Sequence, residues 1–292
     1  MAAARMALQR PRVANAARMA GAAPRSCVRA APRASALVDT AVRWAAAAPT
    51  MYALVSVNEY VTHRYYQHGE FNSSATLKTL YCKLTGAEEA PTVRGGGHIE
   101  HHAETLDDMS LRASPKWRQT PTAVALDEDP YRGTAFNWET TRLMLGQQAI
   151  TSYPVLLAMG FSLASSTTLV VGAVLAHALV WNCLHPPMHG LADVPITDGV
   201  PGDVLKDLRS SAYFKWIYAN HEGHHIAGRC NYNVCCPGMD HVMGTYVPPE
   251  VWRPMARMPE RETPRPQYVA NEYAELCAAE DAAAAELASV TA

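Results

Sequence analysis

Two apolar runs in the middle of the chain, residues 143–164 and 168–184, contain no charged side chain, and Ser165-Ser166-Thr167 offers a polar turn between them. As helices, at about 1.5 Å per residue, such runs reach roughly 25 to 30 Å, close to the thickness of a bilayer's hydrocarbon layer. The pattern predicts a transmembrane helical hairpin; a hairpin buried in a soluble core is the rival reading. Residues 46–57 form a shorter third apolar run, interrupted by Pro49. Residues 112–132 and 192–209 mix proline, glycine and charge and predict loops. Six prolines between positions 248 and 266 predict an extended, irregular strap, followed by an acidic, Ala-rich tail that is an exposed helix or disordered. The fold class expected is all-α.

The first 38 residues carry seven arginines and neither lysine nor acid. Positive charge on an alanine-rich background is the composition of a mitochondrial or plastid transit peptide, with a disordered basic tail as the alternative. No continuous apolar core follows a short basic start, so a secretory signal is not indicated. The expected division is a transit segment over 1–40, a membrane-embedded domain over 41–247 and the strap and tail over 248–292, with mature protein starting near residue 35 to 45. At 292 residues with a formal net charge of −2, the chain has room for one large domain and no basic stripe for nucleic acid. Seven cysteines at irregular intervals, without C-x-x-C, do not form a disulfide framework. Cys230, Cys235 and Cys236 read as small buried thiols, with contact to a metal as the lesser alternative.

Chemistry enters with histidine. Ten of the twelve histidines fall in four clusters: His63 and His68; His98, His101 and His102; His185 and His189; His221, His224 and His225. Imidazole is the commonest protein ligand for a first-row transition metal, and scattered surface histidines do not bunch in this way. On a helix, positions i, i+3 and i+4 share a face, so each H-x-x-H-H triplet can aim three rings into one volume. His63 and His68, five apart, are expected at a helix end or flanking the site from two angles. His185 and His189 enclose Pro186 and Pro187, which suits the first turn after a break better than a continuous helix. Ten ligands exceed the needs of one ion and match those of two.

The order H-x4-H, H-x2-H-H, H-x3-H, H-x2-H-H resembles the fatty acid hydroxylase/sterol desaturase superfamily of membrane-bound di-iron oxidoreductases. The resemblance extends from about Tyr60 to Thr245, because Asn231-Tyr232-Asn233 and Asp240-His241-Val242-Met243-Gly244-Thr245 look like that family's N-Y-G and D-x-x-x-G-T tail. It implies that the ten clustered histidines hold two irons, for which zinc can stand in after purification, and that dioxygen is the co-substrate. Long spacers between His68 and His98 and between His189 and His225, the Pro186-Pro187 pair, and Asn233 in place of glycine depart from the family pattern without removing a ligand.

A spanning hairpin returns both ends to one side, so all four clusters can meet in one helical cap on a single membrane face, where a fatty acyl chain, sterol or other isoprenoid can rise from the lipid. The expected activity is hydroxylation or desaturation of such a substrate in the membrane of a plastid or mitochondrion, with the endoplasmic reticulum less favoured. Electrons must come from a separate ferredoxin or cytochrome b5-type donor, since Gly95-Gly96-Gly97 alone is no nucleotide-binding motif. Glu59, Glu100, Glu104, Glu222 and Asp240 are candidates to accept a ring N–H and fix imidazole orientation, the rival for each being a solvated acid. His177, alone inside an apolar run, reads as a hydrogen-bonded core residue, and His241 as a further candidate beside the metal cap. His221-Glu222-Gly223-His224-His225 also satisfies H-E-x-x-H, so a membrane zinc metalloprotease is the alternative function. A metal carrier or transporter, with ligands strung inside several spans, fits the clusters less well.

Overall fold

A long helix, α1 (Ala34–Val61), begins the described part of the computed structural model, which comprises residues 34–129, 131–191, 204–257 and 289. The chain divides into a unit of residues 1–41 and a unit of residues 42–292. The first is described only from residue 34, as helix, so the expected transit segment lies almost wholly outside the described residues. Pro49 sits inside α1 rather than ending it, because the alanines before it propagate helix strongly. After α1 come α2 (Glu70–Ser73), α3 (Ala75–Thr85), α4 (His98–Glu104), α5 (Pro115–Arg118), α6 (Pro121–Glu128), α7 (Trp138–Ala158), α8 (Leu163–Met188), α9 (Ala212–Ala227), α10 (Met239–Met243) and α11 (Pro249–Trp252). Apart from one isolated bridge, Thr105 to Leu111, the described residues contain no β-structure, and the all-α class holds.

Helices α7 and α8 pack on each other as a hairpin. Their break lies at Met159 to Ser162, where Gly160 takes a left-handed conformation and the Ser162 side chain caps α8 by accepting from the Ser165 N–H. The Ser165-Ser166-Thr167 segment expected as the turn is instead the first turn of α8, with the Thr167 hydroxyl bonded back to the Leu163 carbonyl. Among the described residues only α8 is long and apolar enough to cross a membrane, where the sequence predicts two spans and a weaker third. The hairpin buries polar side chains beside apolar ones such as Leu156 and Val174, and leaves other apolar ones exposed. Thr141, Gln148, Ser152 and Ser166 are fully buried, whereas Leu143, Ile150 and Leu163 are each more than 60 % exposed. The buried polar groups tie α1 to α7: the Asn58 amide donates to Gln148 and Thr151, the Thr62 hydroxyl to Gln147, and the Gln147 amide to the Asn58 carbonyl.

Three further expectations are corrected. Residues 112–132 are not simply loop: Ser114 and Thr120 cap α5 and α6, with Pro115 and Pro121 in the first turn of each, a start signal that outweighs the segment's loop-like composition. Residues 249–255 are helical rather than extended, as α11 followed by a 3-10 turn; the remainder of the strap and the tail, Ser289 excepted, lie outside the described residues. The Pro186-Pro187 pair does not break α8, which runs through both to Met188. A proline at 187 cannot bond the Cys183 carbonyl, and the Arg209 guanidinium, 2.8 Å away, takes that acceptor instead.

Candidate metal centre

Each histidine cluster reaches the centre through a local device. After Val61 the chain winds as a π-helix over Thr62–Gln67, closing with a hydrogen bond of 2.9 Å from the His68 N–H to the His63 carbonyl. The pair sits at a helix end, one of the two expectations; an i to i+5 bond stacks residues five apart, so His63 and His68 lie on one side with ring centroids 5.0 Å apart rather than approaching from two angles. Beside this turn Gly95, at φ +74, lets the backbone before α4 approach so closely that a Cβ would stand 2.3 Å from the Gln67 carbonyl oxygen. That contact is the structural use of the Gly95-Gly96-Gly97 run. Helices α4 and α9 carry their triplets to the centre but divide them, His101 apart from His98 and His102, and His224 apart from His221 and His225; α8 delivers His185 and His189 from its end.

All ten rings converge. His63, His68, His98, His102 and His224 form one group and His101, His185, His189 and His221 a second, and within each group the ligand atoms lie within 4.8 Å of one another. His225 stands outside the second set by that measure, yet its Nε2 is 3.1 Å from that of His221. The two groups adjoin, with the rings of His102 and His225 stacked at 4.0 Å.

The orientation of the rings tests whether an ion fits. The Nδ1 atoms of His63, His98, His185 and His224 face the carbonyls of Tyr232, Gly133, Thr134 and Cys230, which only accept hydrogen bonds. In a neutral imidazole the proton therefore sits on Nδ1, leaving a bare lone pair on Nε2. Yet the Nε2 atoms of His63 and His98 face each other at 2.8 Å, and those of His68 and His102 lie 2.9 and 3.1 Å from that of His224. Around His221 the Nε2 separations are 2.9 Å to His185 and 3.0 Å to His189. Facing lone pairs repel unless a cation shares them. For metal to nitrogen bonds of about 2.1 Å, ligands at right angles are about 3.0 Å apart and tetrahedral ones about 3.4 Å, so the spacing suits ions with more than four ligands. These are two buried histidine clusters, each able to hold a metal ion.

No family model, curated protein or solved structure matches the chain. The chemistry of the centre has to be read from its own residues.

Burial keeps the imidazoles neutral. It pushes His68 down to about 4 and His224 to about 3, the latter with help from the neighbouring His68, and it holds His63, His98, His101, His102, His221 and His225 well below the usual 6.5. In the unfolded chain the same rings take up protons near pH 6.5, so below that pH the unfolded state binds more protons than the folded one. Metal-free protein should therefore keep its full stability above about pH 6.5 and lose it continuously as the pH falls towards 4 and 3. A thermal midpoint that stays level from pH 7 to 4 would contradict neutral, buried rings.

Two of the candidate acids, Glu59 and Asp240, hold backbone where ring N–H groups of the clusters were expected. Glu59 accepts no ring proton from the ten; it accepts from His177 Nε2 at 2.9 Å and from the backbone N–H groups of Val234, Cys235 and Cys236. His177 is thus the hydrogen-bonded core residue expected. Asp240 likewise accepts no ring proton; it accepts from the backbone N–H of Tyr232 and Asn233 and from the Thr245 hydroxyl. Glu222 is fully buried within the α9 triplet, and Glu100 has one buried oxygen with no partner among the described residues. Glu104 is a partly exposed acid whose carboxyl burial raises, with Asp127 adding to the shift. His241 is exposed and packs on Tyr246 instead of on the metal cap, because Gly244 ends α10 there and turns the chain back. Cys230 and Cys235 are buried thiols outside both histidine groups; Cys236 lies with Glu59 and His177 in a third set, whose carboxylate is already engaged. For His63, His98, His185 and His224 the orienting groups that the sequence did not reveal are main-chain carbonyls, which leave no mark in residue identity.

Proposed function

We propose that this chain is a di-iron, dioxygen-dependent oxidoreductase that hydroxylates or desaturates a lipid, of the fatty acid hydroxylase/sterol desaturase type. The observation that carries the reading is the convergence of ten neutral imidazoles into two adjoining groups whose lone pairs face one another. Two irons held there would supply the oxidant for an unactivated C–H bond, which side chains cannot provide. The five-histidine group and the four-histidine group with His225 would each hold one ion. An all-imidazole set leaves such ions more cationic than carboxylates would.

The protein's own contribution is placement and dryness. Met109, Leu184, Met188 and Ile217 form a fully buried apolar cluster on and around the helices that carry His185, His189 and His221, a wall that keeps water from the second group. The exposed apolar side chains of α7 and α8, over a buried polar seam, suit immersion in lipid, with amide and hydroxyl contacts holding the helices together where no hydrophobic force acts between them. In this reading the hairpin anchors the chain in an organellar membrane and the substrate is a fatty acyl chain, sterol or other isoprenoid. A ferredoxin or cytochrome b5-type protein delivers the electrons. A zinc protease would need only His221, His225 and Glu222, and the eight remaining imidazoles would have no part in its chemistry.

Full-length protein in detergent should contain two irons per chain and consume dioxygen when given a reduced donor and a lipid. One zinc per chain with peptide hydrolysis would refute the proposal.

A further inference from the structure

The tail motif and the buried acid of α1 have no part in the ligand set, yet both converge on one loop. Residues 230–236 contribute two carbonyls to the five-histidine group and none to the other: Tyr232 accepts from His63 Nδ1, and Cys230 from His224 Nδ1 at 2.6 Å. Five of the seven backbone N–H groups of that loop are taken by a buried carboxylate. Asp240 accepts from Tyr232 at 2.9 Å and Asn233 at 2.7 Å, while Glu59 accepts from Val234, from Cys235 at 2.8 Å and from Cys236 at 3.1 Å. Thr245 donates its hydroxyl to Asp240 at 2.7 Å, and its carbonyl accepts from the Asn231 N–H at 3.0 Å. Glu59 and Asp240 are 3 % and 0 % exposed, so neither hydrogen-bond set exchanges freely with water.

We propose that Glu59 and Asp240 are positioning residues for the five-histidine metal site alone, acting through the 230–236 loop whose carbonyls aim His63 and His224. An anion that gathers two or three N–H groups fixes the peptide planes between them, and a fixed plane points its carbonyl in one direction. That carbonyl sets the tautomer and rotation of the imidazole, and with them where its lone pair points. The second group has no such dependence: His185 is aimed by Thr134, on a different segment. The Asn231-Tyr232-Asn233 and Asp240-to-Thr245 motifs are therefore two halves of one clamp. This rests on the two-metal reading above but is separable from it.

The test uses full-length protein in detergent titrated with cobalt(II), following the visible absorption of each equivalent. Wild type should bind two equivalents; failure at this step overturns the two-metal reading itself. Given two, Asp240→Asn and Glu59→Gln should each weaken one equivalent by about 10- to 100-fold, the range for loss of an orienting partner, and leave the other unchanged. In a His221→Ala background, where the five-histidine site alone remains, Asp240→Asn should weaken that remaining equivalent by the same factor. If the acid variants do not fold, Thr245→Val, which removes one hydrogen bond and keeps both carboxylates, should show the same selectivity at smaller size. Unchanged affinity at both sites, or equal loss from both, in protein that still unfolds cooperatively, would overturn the proposal.

Discussion

His224→Ala and His101→Ala are each expected to reduce metal content to about one ion per chain and to bring lipid oxidation down to background. Both rings are fully buried, in different groups, with His224 in the set of five and His101 in the set of four. If the proposed two-metal function holds, the effect on activity should exceed the ~10- to 100-fold typical for losing an orienting partner, since a ligand itself would be removed and two ions would be needed together. The pair is informative because the variants empty different sites: mixing them as separate proteins should restore nothing, whereas a mononuclear enzyme would tolerate one of them. Metal analysis with oxygen uptake reads both, and full activity in either variant would exclude a shared two-metal centre.

Trp252→Ala should cost the fold about 3 to 5 kcal/mol, the range for emptying the space of a buried aromatic side chain. Trp252 is completely buried, and α11 packs it against α9 at Gly223, where a Cβ would stand 2.5 Å from two indole atoms and 2.7 Å from the Asn231 amide nitrogen. Gly223→Ala should in turn cost about 1 to 3 kcal/mol by overpacking. Because Gly223 lies between Glu222 and His224, any shift of α9 that relieves the clash also moves ligands of both metal groups, so metal content should fall with stability. The double variant should lose less than the sum of the two, as the vacated indole space receives the added methyl group. Strict additivity in denaturant unfolding would show that Gly223 and Trp252 are not in contact.

How far residues alone carried the picture differs from element to element. The histidine triplets were legible because residues three and four apart share a helix face, and α4 and α9 do carry them to the centre; that each triplet divides, His98 and His102 from His101 and His224 from His221 and His225, was not. The π-turn between His63 and His68 was not: whether residues five apart share a side depends on one backbone hydrogen bond slipping by a residue, which composition does not announce. Pro186-Pro187 misled for a related reason. The penalty of a proline in a helix is an unpaired carbonyl, and the partner that relieves it, Arg209, comes from a separate segment 26 positions from Cys183. Of the acids, Glu59, Glu222 and Asp240 are buried rather than solvated, but Glu59 and Asp240 hold backbone N–H groups where the expectation was a ring N–H of the clusters.

By itself the amino-acid sequence determined the clustered histidines, the helical class and the long apolar helix, all of which depend on residue type and on spacing within one element. The tertiary structure decided which imidazoles gather into each group, which main-chain carbonyls face them and where the hairpin turns. Those outcomes are set by contacts between segments as much as 169 positions apart, such as His63 with Tyr232, and by peptide carbonyls that are alike in every residue.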